Sequence, residues 1–255
     1  MSSSDNTPKH RPPKPEYRFK RNTLPPLLGL LTFTATIVAL NFQWIFAQFQ
    51  YKIAAQGTTQ IVSIDTSSTA STVRPNEAPS LWIPKIDIHA PIIFESSTNE
   101  ADIQKSLRQG VVHYPMTAIP GEIGNVVVFG HSSGQPWAPG AYKFIFTLLN
   151  KVQKDDQIVI DFEGIRYVYS VKSTEVVDPH ETRVLLPTGK PTLTLITCTP
   201  VGTSNKRLVV TAEQVSPKLN TQQAAAKPKA AKKAPKVQNL PSNSPAFWQS
   251  LINLF

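Results

Sequence analysis

The chain has 255 residues, a formal net charge of +9 and a single cysteine. Its basic residues are concentrated in the two ends and are not interleaved with aromatic ones, which argues against nucleic-acid binding. One cysteine excludes an internal disulfide, and the length with Pro-rich ends indicates one globular domain with attached segments.

The amino-terminal part predicts a membrane anchor. Residues 1–23 carry six Lys/Arg and little apolar surface, which predicts a disordered basic tail. Residues 24–51 contain no charged residue, and the run is long enough for a helix of about 20 residues to cross a bilayer. The positive charge before this segment predicts a cytoplasmic amino terminus and an extracellular remainder, with a single-pass protein in the cell membrane. A cleaved signal peptide and a buried core helix are the alternatives.

Short strands dominate the middle of the chain. Residues 52–79 are rich in Ser and Thr and predict a solvated stalk. Residues 80–215 predict the globular domain, in which Leu81–Phe94 alternates apolar and polar residues with interruptions at Pro84 and Pro91. Many short strands with few helices favour a mainly β fold, a closed antiparallel barrel.

Further elements of this domain are predicted from local patterns. They are a short helix over Asn99–Arg108, a buried strand over Asn125–Phe129, a helical stretch over Tyr142–Val152, and a hairpin of 156–162 with 165–171 about Glu163-Gly164.

The carboxyl-terminal end changes composition twice. Residues 216–243 are rich in Lys, Ala and Pro and predict a linker. Residues 244–255 place Ser at a helix N-cap, Pro after it and then an apolar stripe, which predicts an amphipathic helix docked on the outer membrane face or on the barrel. The alternatives are a disordered tail and a lid over the active site.

The one cysteine lies where two predicted strands approach each other. Cys198 ends the strand Thr192–Thr197, and Arg207 begins the strand over Leu208–Thr211 after a short polar loop. If the strands pair as a hairpin, thiol and guanidinium lie side by side. A cation favours the thiolate, which is the nucleophilic form; the alternative is an inert buried cysteine.

These residues resemble a known family. Thr-Leu-Ile-Thr-Cys198 with Arg nine residues later, together with Gly110–Pro115, Pro120–Asn125 and Val128–His131, resembles the sortases, particularly class D/E. The resemblance covers roughly residues 80 to 215 and implies the eight-stranded sortase β-barrel.

The resemblance also implies residue roles. Cys198 is the expected nucleophile and His131 the acid that protonates the leaving amine. Arg207 is expected to hold the substrate backbone and stabilise the oxyanion. His113 is the rival histidine, expected as a substrate-binding or supporting group, and Thr197 is expected to shape the site or simply to pack in its strand.

The implied reaction is transpeptidation without a cofactor or metal. Cys198 is expected to cleave a Leu-Pro-X-Thr-Gly or Leu-Ala-X-Thr-Gly sorting motif of a surface protein through a thioacyl enzyme, which an amine of a cell-wall precursor or pilin resolves. The acidic residues at positions 155, 156, 161 and 163 do not form a dense oxygen-ligand loop for calcium. An extracytoplasmic cysteine peptidase and a non-enzymatic wall-binding barrel are the alternatives.

Overall fold

The computed structural model describes residues 25–39, 78–134, 140–218 and 239–241. The chain divides into two units, Met1–Asn41 and Phe42–Phe255. In the first unit, residues 25–39 form helix α1. Among the described residues, no helix has both the length and the apolar character that a membrane crossing requires. Five predicted segments lie wholly or largely outside the described residues: the basic tail, the second half of the anchor, the stalk, the Lys/Ala/Pro-rich linker and the amphipathic carboxyl-terminal helix.

The second unit is a closed barrel of eight strands. The strands are β1 (Ser80–Ile83), β2 (Ile88–Phe94), β3 (Val111–His113), β4 (Gly124–Phe129), β5 (Gln157–Phe162), β6 (Ile165–Val177), β7 (Pro191–Thr199) and β8 (Lys206–Ser216), and helix α2 is Glu100–Ser106. Neighbouring strands follow the order β1-β2-β3-β4-β7-β8-β6-β5 around the barrel. The predicted mainly β fold and closed barrel are confirmed.

The expectation that all strand pairs are antiparallel is wrong at two places. β2 pairs with β3 in parallel, and β4 pairs with β7 in parallel. Parallel neighbours require a crossover connection, and such connections are present: α2 lies between β2 and β3, and the hairpin of β5 and β6 lies between β4 and β7. The pairing of β4 with β7 matters for the site because it joins two distant parts of the chain.

Local signals predicted the first residue of most elements within a residue or two, whereas β6 and β8 continue five or six residues beyond their predicted ends. Asn99 caps α2 by accepting a hydrogen bond from the Ala101 N–H at 2.9 Å. The hairpin of β5 and β6 turns at Glu163 and Gly164, whose φ angles of 50° and 75° lie in the left-handed region, as the turn of a two-residue hairpin requires.

The predicted helix over Tyr142–Val152 is wrong. Only Leu149–Lys151 forms a 3-10 helix, and the residues before it form turns. The Phe146 N–H donates to the His131 carbonyl at 2.8 Å instead of to a helical partner. A tertiary hydrogen bond therefore replaces the helical one at this point.

Apolar residues form two clusters on opposite faces of the sheet. The barrel interior holds the first cluster, to which all eight strands contribute alternate residues, such as Val126 and Val128 of β4. The second cluster lies on the outer face, where Val127 and Phe129 of β4 pack with residues of α2 and of the connection between β6 and β7. Strand alternation accounts for this division, and the outer cluster underlies the candidate site.

Candidate active site

The hairpin of β7 and β8 places Cys198 beside Arg207. The two residues are directly opposite each other in the antiparallel register, so the predicted pairing is confirmed. Their neighbours on the same face, Ile196 and Val209, belong to the outer cluster. Cys198 is 4% exposed and Arg207 is 2% exposed, so both side chains are buried at this end of the hairpin.

His131 reaches the same place from β4. Phe129 lies opposite Ile196 in the parallel register, and the Gly130 N–H still donates to the Ile196 carbonyl, at 3.1 Å, after β4 has ended. If this parallel pairing is extended by two residues along both segments, His131 lies opposite Cys198. Because side chains repeat every two residues along a strand, both residues lie on the face of the outer cluster. Cys198 is therefore flanked by His131 on one side and Arg207 on the other.

The backbone around His131 is fixed by three hydrogen bonds. The Thr197 hydroxyl donates to the Gly130 carbonyl at 2.7 Å. The Phe146 N–H donates to the His131 carbonyl at 2.8 Å, and the Thr147 hydroxyl donates to the next carbonyl, of residue 132, at 2.6 Å. These bonds hold the segment that carries His131 against the strand that carries Cys198.

Gly130 is required by close packing. A Cβ atom at this position would lie 2.4 Å from Cδ2 and 2.6 Å from Cε2 of Phe146, which is well inside contact distance. The Phe146 ring thus covers the backbone directly before His131. A side chain at residue 130 would displace the Phe146 ring, and the backbone N–H of the same phenylalanine holds the His131 carbonyl.

The loop between β7 and β8 is tied to the histidine segment. Residues 200–203 form a turn in which the Thr203 N–H donates to the Pro200 carbonyl at 3.0 Å. At the tip, the Gly202 N–H donates to Ser133 Oγ at 3.0 Å. The two loops that end the cysteine and histidine strands therefore contact each other.

The Arg207 guanidinium is surrounded by backbone carbonyls. Nη1 donates to the carbonyls of Ser204 and Lys206 at 2.9 and 3.1 Å. Nε donates to Pro241 at 2.9 Å and Nη2 to Leu240 at 3.1 Å. Among the described residues, no carboxylate pairs with it. A buried cation satisfied only by carbonyls keeps its positive charge uncompensated, which suits it to a peptide carbonyl or an oxyanion.

The neighbouring Lys206 points away from the site. Its Nζ lies 2.8 Å from the Asp178 carboxylate in an exposed ion pair. Strand alternation puts residues 206 and 207 on opposite faces, so only Arg207 lies on the same face of the sheet as Cys198.

The contact from residues 240 and 241 was missed by sequence reasoning. Both lie in the segment assigned to a linker, yet Leu240 is 2% exposed within the outer cluster. Its N–H donates to the Pro179 carbonyl at 2.7 Å. The available signal was the dipeptide itself, an apolar Leu-Pro that follows a Lys/Ala/Pro-rich stretch.

His113 is not brought into this site. It lies opposite Val128 in the register of β3 and β4, and Val128 faces the barrel interior. Its Nε2 lies 2.8 Å from the Ala118 carbonyl, and its ring stacks on Phe94 with 4.7 Å between centroids. His113 and His131 thus lie on opposite faces of the sheet.

Tyr114 belongs to the outer cluster, as do Ile196 and Val209 of the hairpin that carries Cys198 and Arg207. Its ring centroid is 5.3 Å from that of Phe129, and its hydroxyl has no hydrogen-bond partner among the described residues. Burial raises the pKa of Tyr114 to about 12, with a smaller contribution from the negative charge of Glu100. The phenol is therefore held neutral.

Two of the acidic residues near the hairpin of β5 and β6, Asp156 and Asp161, have protein partners. Arg166 donates to both oxygens of Asp161 at 2.8 Å, and Asp156 accepts the Gln153 N–H at 2.7 Å. Within the described ranges, no group of three or more His, Cys, Asp or Glu residues is arranged to hold a metal ion.

A family model described as a Sortase domain matches residues 81–215. The chain belongs to the sortase family. Sortase D of Bacillus subtilis is 29% identical over 140 residues, covering 53% of this chain and 63% of that protein. Sortase SrtE1 of Streptomyces coelicolor is 32% identical over 152 residues, covering 53% and 39% respectively. This sortase therefore spans less than two thirds of the length of either curated relative.

Solved structures similar to this sortase include sortase C1 of Streptococcus agalactiae. The identity is 28%, the TM-score is 0.46, and the match covers 55% of this chain and 67% of that one. The class D/E character expected from the sequence is compatible with relatives that include a sortase D and a sortase E1.

Proposed function

We propose that this sortase is a cysteine transpeptidase with Cys198 as nucleophile, His131 as acid and base, and Arg207 as oxyanion donor. The observation that carries the proposal is the position of Cys198 between the other two, at the ends of three adjacent strands. Each group is buried and held by a different strand. A rigid arrangement of this kind supplies orientation, which is a large part of catalysis.

The first half-reaction forms a thioester. The Cys198 thiolate attacks the carbonyl carbon of the scissile peptide bond, and the negative charge moves to the carbonyl oxygen. Arg207 stabilises this oxyanion because its guanidinium is always charged and its donors are fixed. When the intermediate collapses, the C–N bond breaks, and His131 gives a proton to the departing amine.

The second half-reaction releases the product. His131, now neutral, accepts a proton from an incoming amine, which attacks the thioester carbon. The C–S bond breaks, a new peptide bond forms, and the Cys198 thiolate is regenerated. Water in place of the amine gives hydrolysis, so the balance between the two acceptors sets whether the enzyme joins or only cleaves.

The proposed substrate is a surface protein with a Leu-Pro-X-Thr-Gly or Leu-Ala-X-Thr-Gly sorting motif, and the proposed acceptor is an amine of the cell wall or of a pilin. The segment 24–51 is proposed to anchor the enzyme in the cell membrane with the amino terminus inside. The charge-free stretch preceded by basic residues supports this topology. The catalytic domain then meets its substrates outside the cell.

A panel of sorting peptides with hydroxylamine as thioester trap tests the proposal. Cys198→Ala is expected to abolish turnover. His131→Ala is expected to lower kcat by about 10²- to 10⁴-fold, the contribution of a positioned acid, and Arg207→Ala by about 10²- to 10³-fold, that of an oxyanion donor. Lys206→Ala and His89→Ala are matched controls, because both residues are exposed. Substantial turnover by Cys198→Ala, or equal losses in the controls, contradicts the assignment.

A further inference from the structure

The outer cluster binds a dipeptide of the chain's own carboxyl-terminal segment. The Leu240 side chain is buried and belongs to the same apolar cluster as Val177, Val184 and Leu185. Its N–H donates to the Pro179 carbonyl at 2.7 Å. This combination of a side chain in an apolar recess and a main-chain hydrogen bond is how extended peptides are recognised. Leu240 and Pro241 are called the tail dipeptide below.

Arg207 binds the tail dipeptide through its backbone. Nε and Nη2 donate to the Pro241 and Leu240 carbonyls at 2.9 and 3.1 Å. Hydrogen bonds from a charged donor are stronger than neutral ones, and here the donor is the group proposed to act on the substrate. The contact therefore places a Leu-Pro backbone on the proposed catalytic arginine.

The residues after the tail dipeptide explain why the enzyme would bind the tail without cleaving it. Residues 240–244 read Leu-Pro-Ser-Asn-Ser, which begins like the proposed sorting motif. The Thr-Gly pair that the enzyme is proposed to cleave is replaced by Asn243 and Ser244. The tail thus keeps the recognition half of the motif and lacks the scissile half.

We propose that the tail dipeptide is an internal competitor of the sorting motif, occupying the subsite for Leu-Pro without being cleaved. This inference rests on the proposed function. Residues 219–238 supply twenty residues of connecting chain, which reach up to roughly 70 Å when extended. A tethered ligand has an effective concentration in the millimolar range, so even a weak Leu-Pro site is filled within one chain.

The full chain in detergent micelles tests the proposal, with Leu240→Ser compared with the matched control Leu251→Ser from the same tail. If the dipeptide is docked in about 90% of molecules, its loss lowers the apparent KM for a sorting peptide about tenfold, with kcat unchanged. The second readout is the rate at which iodoacetamide alkylates Cys198. Removing the cover over Arg207 is expected to accelerate this alkylation, and the Leu251→Ser control is expected to match the wild type in both readouts.

A synthetic peptide of residues 238–244 completes the test. It is expected to inhibit the Leu240→Ser enzyme competitively, whereas the same peptide with Leu240→Ser is expected not to inhibit. An unchanged KM and alkylation rate in Leu240→Ser, with normal peptide cleavage, overturns the inference and leaves the proposed function standing. Faster alkylation without cleavage of any sorting peptide supports the covering role and overturns the proposed function. Release of a fragment beginning at Ser244, seen by mass spectrometry, overturns the competitor because the tail is then a substrate.

Discussion

Replacing Thr197 by valine removes one hydroxyl and leaves the shape of the side chain unchanged. That hydroxyl donates to the Gly130 carbonyl at 2.7 Å, and the residue is 3% exposed. Such a hydrogen bond contributes about 0.5 to 1.5 kcal/mol to the free energy of unfolding, and a substitution that leaves the buried acceptor unpaired lowers that free energy by about 1 to 3 kcal/mol. We expect Thr197→Val to lower the free energy of unfolding by about 1 to 2 kcal/mol. Because the bond fixes the residue before His131, we also expect kcat/KM to fall about ten- to hundredfold, as for a small misplacement of a catalytic group.

Thr194→Val is the matched control for this substitution. Thr194 lies on the same strand, is also 3% exposed, and donates to the Asn125 side chain at 2.7 Å. Urea unfolding and cleavage of a sorting peptide are measured on both variants, with the prediction that both lose similar stability and only Thr197→Val loses activity. Equal kcat/KM in the two variants refutes the reasoning that this hydroxyl positions the histidine.

Four other predictions follow from the same contacts and from the sequence. Gly130→Ala forces a Cβ into the Phe146 ring, so urea unfolding should show a loss of about 1 to 3 kcal/mol, and an unchanged stability would mean that the ring moves freely. The pKa of Tyr114 is raised from 10.0 to about 12, which means that the folded state favours the neutral phenol. The stability that the neutral phenol contributes is therefore complete below pH 10 and is lost as the pH rises through 12. Tyr114→Phe should flatten this alkaline decline without loss of stability at pH 7, and an identical decline in the variant would contradict the assignment. Protease added to intact cells should remove the domain after Tyr51 and spare residues 1–23; digestion of residues 1–23 instead would reverse the proposed topology. Deleting residues 244–255 should weaken binding to anionic vesicles, and unchanged binding would exclude membrane docking of this segment.

The pairing of Cys198 with Arg207 could be predicted because it depends on local information. Two strands rich in β-branched residues with a short polar loop between them form a hairpin, and the loop length sets which residues face each other. The structure has this register. The same kind of local signal predicted the turn at Glu163-Gly164 and the N-cap at Asn99.

The contact between the histidine and cysteine segments depends on long-range pairing that periodicity does not encode. Nothing in Asn125–Phe129 alone indicates that β4 lies parallel to β7, and the resemblance to sortases supplied His131 as a candidate. The face occupied by His113 was likewise not predictable, because all three residues of β3 are buried and the strand shows no alternation.

The composition of the carboxyl-terminal segment does not indicate its contact with the barrel. Lysine, alanine and proline dominate residues 216–243 and favour a solvated linker, yet β8 continues to Ser216 and Leu240 is buried. A dipeptide is too short to change the average of a window. Its contact is specified by Arg207 and the outer cluster, which are distant in sequence.

The parallel pairing of β4 with β7 also affects how the protein folds. The Thr197 hydroxyl and the Gly130 carbonyl that it binds are separated by 67 positions in sequence. Contacts between residues so far apart in sequence form slowly, because the loop between them must first be closed. The β5 and β6 hairpin can form early from neighbouring residues, whereas the histidine strand meets the cysteine strand only when the barrel closes. A newly made chain therefore carries Cys198 apart from His131, and the proposed peptide cleavage requires that the barrel has closed.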